Sequence, residues 1–118
     1  MSSTSLFSQT LTCRDFKNGT FKLLDPKYGN SIIERKGSKQ IEYSEKLKLK
    51  VRFKVKWISD CTYTLKLKKI IENPNNIDFP ENLILTVKII ETKENSYTQR
   101  TSSNLYETVL ENKLTRIE

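Results

Sequence analysis

Residues 46–57 read KLKLKVRFKVKW, with every odd position from Leu47 to Trp57 apolar and every even position from Lys46 to Lys56 basic. A period of two is the mark of a strand that buries one face. The same period runs through most of the chain. It predicts strands over 20–25, 31–36, 39–45, 46–58, 61–71, 83–92, 96–101, 105–110 and 113–118. Pro26 ends the first of these, because proline cannot donate to a ladder. Gly37-Ser38 marks a hairpin, and the run ENPNNIDFPEN at 72–82 is the main loop. Residues 105–118 also fit a 3.6-residue period in part, so a helix is the alternative there.

The longest two strands restrict their own register. Cys61, Tyr63, Leu65 and Leu67 share odd parity with the apolar residues of 46–58. Residues facing each other across an antiparallel pair lie on one face, so odd must pair with odd. This predicts Trp57 opposite Tyr63, Val55 opposite Leu65, Phe53 opposite Leu67 and Arg52 opposite Lys68, or the same faces shifted by two residues, around a three-residue turn. A two-residue loop of Ser59-Asp60 would slip the register by one and send every apolar group to water.

Short strands and tight turns imply an antiparallel meander. Parallel crossovers would need helices, which the pattern lacks. An all-β sheet of this kind must protect its edges, so the expected fold is a small barrel or strongly curved sheet of about seven to nine strands. The chain has 118 residues, enough for one domain and a modest core. That domain is placed at 13–118. Residues 1–12 read as a residual signal-peptide end or a disordered N-terminus. SLFSQ at 5–9, with Ser8 before Gln9, has the look of a cleavage site. TLTC ending at Cys13 is a poor lipobox, since Thr10 and Thr12 depart from it. No segment reaches the roughly 20 apolar residues of a membrane span. The expected location is therefore exported, periplasmic or secreted.

Charge and composition narrow the chemistry. Lys and Arg total 21 against 14 Asp and Glu, a net charge of +7. Histidine is absent, which excludes Ser-His and Cys-His catalysis and the usual zinc sites. Cys13 and Cys61 are too few for a protein-only zinc site. They could be bridged or be two separate buried thiols, and an oxidising compartment favours the bridge. Glu34, Glu42, Glu45 and Glu91 are available for acid–base work, but their spacing singles out no pair. No metal or cofactor site is expected. Asn18-Gly19-Thr20 matches N-x-T and reads better as a turn.

Two surfaces remain as binding candidates. Lys48, Lys50, Arg52, Lys54, Lys56, Lys66 and Lys68 would share one face and suit an acidic protein or polyanion. Nucleic acid fits less well, because Phe53, Trp57 and Tyr63 lie on the opposite face and leave no bases to stack. The plain alternative is a solvated face whose lysines guard against edge pairing. The second candidate is a cavity contacted by Trp57, Tyr63 and Arg35. Arg35 alternates with Ile33 and would point inward with it. A buried arginine needs a carboxylate, so a place at the rim is the expectation.

Cys13, Phe16, GTF (19–21), DP (25–26), IER (33–35), QIE (40–42) and WISDCTYTL (57–65) together resemble a family of short exported proteins from Bacteroidetes, some of which carry the label "DNA topoisomerase IV". This chain has no room for a topoisomerase and lacks its ATP-binding glycines. The resemblance implies export and supports a Cys13–Cys61 disulfide, and it implies no activity. GTF and the late Arg116 are also similar to the G-x-W and late arginine of lipocalins, with Phe in place of Trp. The resulting expectation is a monomeric, non-enzymatic, exported module, lipocalin-like, that binds a small apolar ligand or acts in the cell envelope. The alternative is an interaction module working through the lysine face.

Overall fold

A computed structural model describes residues 12–27 and 29–118; the signal-peptide reading of 1–11 lies outside them. Eight antiparallel strands close into a barrel in strict meander order, each paired to the next and the last to the first. They are β1 (Gly19–Asp25), β2 (Gly29–Lys36), β3 (Lys39–Ser44), β4 (Leu49–Ser59), β5 (Thr62–Glu72), β6 (Ile84–Thr92), β7 (Ser96–Ser103) and β8 (Leu110–Arg116). A short 3₁₀ segment, Cys13–Phe16, precedes them. Closure leaves no free edge. The lysines of β4 are therefore not edge guards, because β4 is paired on both sides.

The β4–β5 register is one of the two expected: Trp57 faces Tyr63, Val55 faces Leu65 and Phe53 faces Leu67. Three irregularities adjust it, the one nearest the mouth putting Lys50 opposite Glu72. Ser59 pairs with Thr62, so the loop is the two residues Asp60 and Cys61, and a bulge between Trp57 and Ser59 absorbs the slip that a two-residue loop would cause. A second bulge puts Arg52 opposite Lys69 rather than Lys68. The chain also enters β4 later than its alternation suggests. Leu47 packs on the core from a turn, and Lys48 sits in that turn with a left-handed backbone, φ 52°. Residues 105–109 are a loop and Leu110–Arg116 is one strand, so the strand expected over 105–110 and the alternative helix do not form, while the strand expected over 113–118 does, starts earlier and closes the barrel on β1.

The interior is built by the inward positions of every strand. Phe21, Ile33, Val51, Phe53, Val55, Tyr63, Leu65, Val87, Ile89, Tyr97 and Leu114 are all buried. Each such side chain contributes about 1.5–3 kcal/mol on removal from water. One end of the barrel is closed. Phe16 lies across it, with its ring 5.1 Å from Tyr97 and 6.3 Å from Phe21. Arg116 covers the same end, 5.3 Å from the Phe16 ring and 5.1 Å from the Phe21 ring. Gly19 is required beside it: its φ is +142°, and a Cβ there would run into the Arg116 guanidinium.

Cys13 and Cys61 form a disulfide with Cα atoms 5.3 Å apart. It ties the 3₁₀ segment to the β4–β5 turn. Asp60 in that turn adds exposed ion pairs to Arg14 at 3.8 Å and Lys17 at 3.7 Å, which stabilise little by themselves. Among the described residues no helix is long and apolar enough to cross a membrane.

Candidate functional site

Strand direction places residues 24–30, 44–49, 70–84 and 103–110 at the other end, the mouth. Inward side chains change character along the barrel axis. Near the closed end they are buried. Toward the mouth Leu23, Ser31, Glu42, Ser44, Leu67, Leu85, Thr101 and Asn112 face inward yet are only half-buried. The barrel is thus a cup, open to solvent at one end. The long 73–83 loop leans over it: Ile77 and Phe79 pack on the core, with Phe79 6.3 Å from Phe53. Asn73 shapes this loop by bonding both the N–H and C=O of Ile77, and Asn75 anchors it to the Leu47 carbonyl. A cleft of about 300 Å³ opens at the mouth among Leu83, Leu85, Thr101, Tyr106 and Leu110.

The floor of the cup is polar. Arg35 is 2% exposed and points inward from β2. It makes five hydrogen bonds. Nε donates to the Lys17 carbonyl at 3.2 Å. One terminal nitrogen donates to Gln40 Oε1 at 2.8 Å and the Tyr63 hydroxyl at 2.9 Å. The other donates to the Phe16 carbonyl at 2.7 Å and the Tyr97 hydroxyl at 2.8 Å. A guanidinium has five N–H donors, so all are used. The expectation of a rim position or a paired carboxylate is therefore corrected: five neutral oxygens hold the buried charge. The rings of Tyr63 and Phe21, 4.7 and 5.0 Å from its central carbon, add cation–π attraction. Burial disfavours the charge, but the oxygens of Tyr63 and Tyr97 outweigh it and hold the pKa above its ordinary value. Tyr63 also meets Gln99 at 3.2 Å, and burial, first among several causes, pushes its phenol well above the usual range.

Gln40 links this floor to a carboxylate. Its oxygen accepts from Arg35, and its Nε2 donates to Glu42 at 2.7 Å. The two neighbours fix which way the amide points. Glu42 projects into the barrel between Ile33 and Val51, its partners on either side. Its carboxyl is surrounded by protein although solvent reaches part of the residue. Burial raises its pKa, with the Gln40 bond and the Arg35 charge acting in the opposite direction.

Strand β3 is the anomaly that positions these groups. Its apolar residues Ile41 and Tyr43 face outward, opposite Arg52 and Lys50, while Gln40, Glu42 and Ser44 face in. Sequence reasoning had placed Glu42 only in an undifferentiated set of carboxylates and had not singled out Gln40. The readable signal was the register: Arg35 inward on β2 requires its partner Gln40 inward on β3.

The sequence-derived cavity residues are thus assembled, but on the closed side. Tyr63 forms part of the floor. Trp57 lies half-buried near the rim of the closed end, its ring 4.6 Å from Tyr63 and 5.0 Å from Lys17 Nζ. On the outer wall Lys50, Arg52, Lys54, Lys56 and Lys66 do share a face, whereas Lys48 leaves it and Lys68 sits at the bulge. Lys39 joins, because it faces Lys54, which faces Lys66 in turn. None of these cations forms an ion pair among the described residues. A shallow cleft of about 450 Å³ runs between Ser38, Lys39, Arg52, Lys54 and Lys68. No cluster of metal-binding side chains occurs among the described residues. Comparison of the chain with models of known families, and with curated proteins, found no match.

Proposed function

We propose that this protein is a non-enzymatic binding module, exported from the cell, that carries a small, largely apolar molecule in the barrel. The observation that carries the reading is the one-ended cup. Its closed end is locked by Phe16, Arg35 and the disulfide, while inward residues near the mouth remain open to solvent. Small barrels use such interiors to hold one ligand. Leu23, Leu67, Leu85, Ile77 and Phe79 supply apolar wall and lid. The closed eight-strand meander, with Arg116 over the Phe21 ring, supports a lipocalin-like relationship. The disulfide supports an oxidising compartment. Native mass spectrometry of protein purified from its own host is the test. A bound mass that dissociates on unfolding is expected, and a clean apo mass at every preparation would remove the reading.

A second reading rests on the outer wall. Lys39, Lys54 and Lys66 form a row across three strands and make no ion pair among the described residues. Such a row suits a polyanion held by charge alone, with affinity falling steeply as salt rises. Heparin-column elution separates the two readings: elution of wild type and of Lys54→Glu/Lys66→Glu at the same salt would remove the second.

A further inference from the structure

Resting on the cup reading, we infer that the ligand carries a cationic head, an amine on an apolar body, and that Glu42 is its anchor. Three observations lead there. First, β3 turns Gln40, Glu42 and Ser44 into the barrel and leaves Ile41 and Tyr43 outside. A strand selected only for packing would present the opposite face, since the aliphatic and aromatic residues would then be buried. Second, the one buried cation near Glu42 is already taken. All five donors of Arg35 are satisfied by neutral oxygens, so Arg35 offers no site for an anionic head. Third, Glu42 receives a single hydrogen bond, from Gln40, and makes no ion pair among the described residues. A carboxylate has about four lone-pair sites, so acceptor capacity remains unused within the cup.

Acceptor capacity with no ion-pair partner among the described residues selects a donor. An ammonium group meets it with a charge-assisted hydrogen bond, while a carboxylate head would be repelled. The burial that raises the Glu42 pKa fits this, because an incoming cation would restore the charged form. Charged or titratable groups facing Glu42 from the surrounding strands are Arg35 of β2, Tyr63 of β5, Tyr97 of β7 and, nearer the mouth, Asp25 of β1. Strand β4 presents only Val51 and Phe53 to it.

The test uses octylamine, octanol and octanoate with the full disulfide-bonded chain, by isothermal titration calorimetry. At pH 8 octylamine is expected to bind at least about tenfold more tightly than octanoate, the ratio one charge-assisted hydrogen bond supplies. Glu42→Gln should abolish that preference and leave octanol unchanged, while Asp25→Asn should keep it. Wild-type affinity for octylamine should fall as pH drops toward 4, with octanol unaffected, and this arm stands even if Glu42→Gln does not fold. If none of the three probes binds, the cup reading itself fails. If octanol binds but octylamine gains nothing, or its preference survives Glu42→Gln, the cup stands and the anchor is refuted.

Discussion

Arg35→Met should cost about 3 kcal/mol of folding stability, although it removes a buried charge. The substitution keeps the side chain's length and apolar stem while deleting five hydrogen bonds. Three acceptors lose their donor: the carbonyls of Phe16 and Lys17, and Gln40 Oε1. Each orphaned buried acceptor costs about 1–3 kcal/mol, and Lys17, at the part-buried edge, should lie at the low end. The two phenols suffer less, because each can still donate. Against this stands the relief of no longer burying a guanidinium, which is worth several kcal/mol. The loss should still win, since the two carbonyls are fixed at the end of the 3₁₀ segment and cannot turn to water. Urea denaturation at pH 7 with the disulfide intact measures it, followed through Trp57 fluorescence. A second variant tests the cause. Arg35→Met with Gln40→Leu, Tyr63→Phe and Tyr97→Phe removes the three side-chain partners together and should recover at least about 1 kcal/mol over Arg35→Met alone, because these partners are coupled. A cost below about 1 kcal/mol for the single variant, or no recovery in the quadruple, would refute the account of Arg35 as the tie between plug and barrel.

Glu42→Gln tests the carboxylate from the stability side. The folded pKa of Glu42 is raised by burial, so its proton favours the folded state. That contribution is fully present below the unfolded pKa and is lost as pH rises through the folded value. The variant should therefore match wild type near pH 4 and exceed it in thermal stability at pH 8; a constant gap across that range would contradict the shift. Reduction of Cys13–Cys61 should cost about 4 kcal/mol, the closure entropy of a 48-residue separation. Melting of the Cys13→Ala/Cys61→Ala variant checks this, and a melt unchanged from wild type would rule it out. Lys54→Glu should stabilise by a few tenths of a kcal/mol, because it turns two like-charge cross-strand pairings, with Lys39 and Lys66, into opposite-charge ones. A gain that persists at 1 M salt would show the effect is not electrostatic.

The faces of the β4–β5 hairpin were legible residue by residue because its alternation is unbroken and both strands share parity, so burial leaves two registers that differ by two residues. The meander and its closure were legible as a class. The bulges were not, since an extra residue leaves no mark in a period-two pattern until the partner strand is known. Leu110–Arg116 read poorly for a related reason: its inward positions are Leu110, Asn112 and Leu114. A polar side chain in the lumen breaks the alternation that strand assignment depends on.

The same break explains why the site was harder to read than the fold. Hydrophobic periodicity locates what is buried for stability, and it is blind where a barrel turns polar groups inward. Stability here is concentrated at the closed end, where the disulfide, the Phe16 plug and the Arg35 bonds converge. Toward the mouth, rules of packing are relaxed: Glu42 faces the lumen and makes no ion pair among the described residues, Ser44 and Asn112 face the lumen, and Ile41 and Tyr43 are left on the wall. Local violations of this kind are tolerated where function requires them. The basic stripe of KLKLKVRFKVKW is the outer side of that division. Its odd residues build the inner wall, and its lysines stand on the opposite face from the cup, so one strand can serve both without either constraining the other.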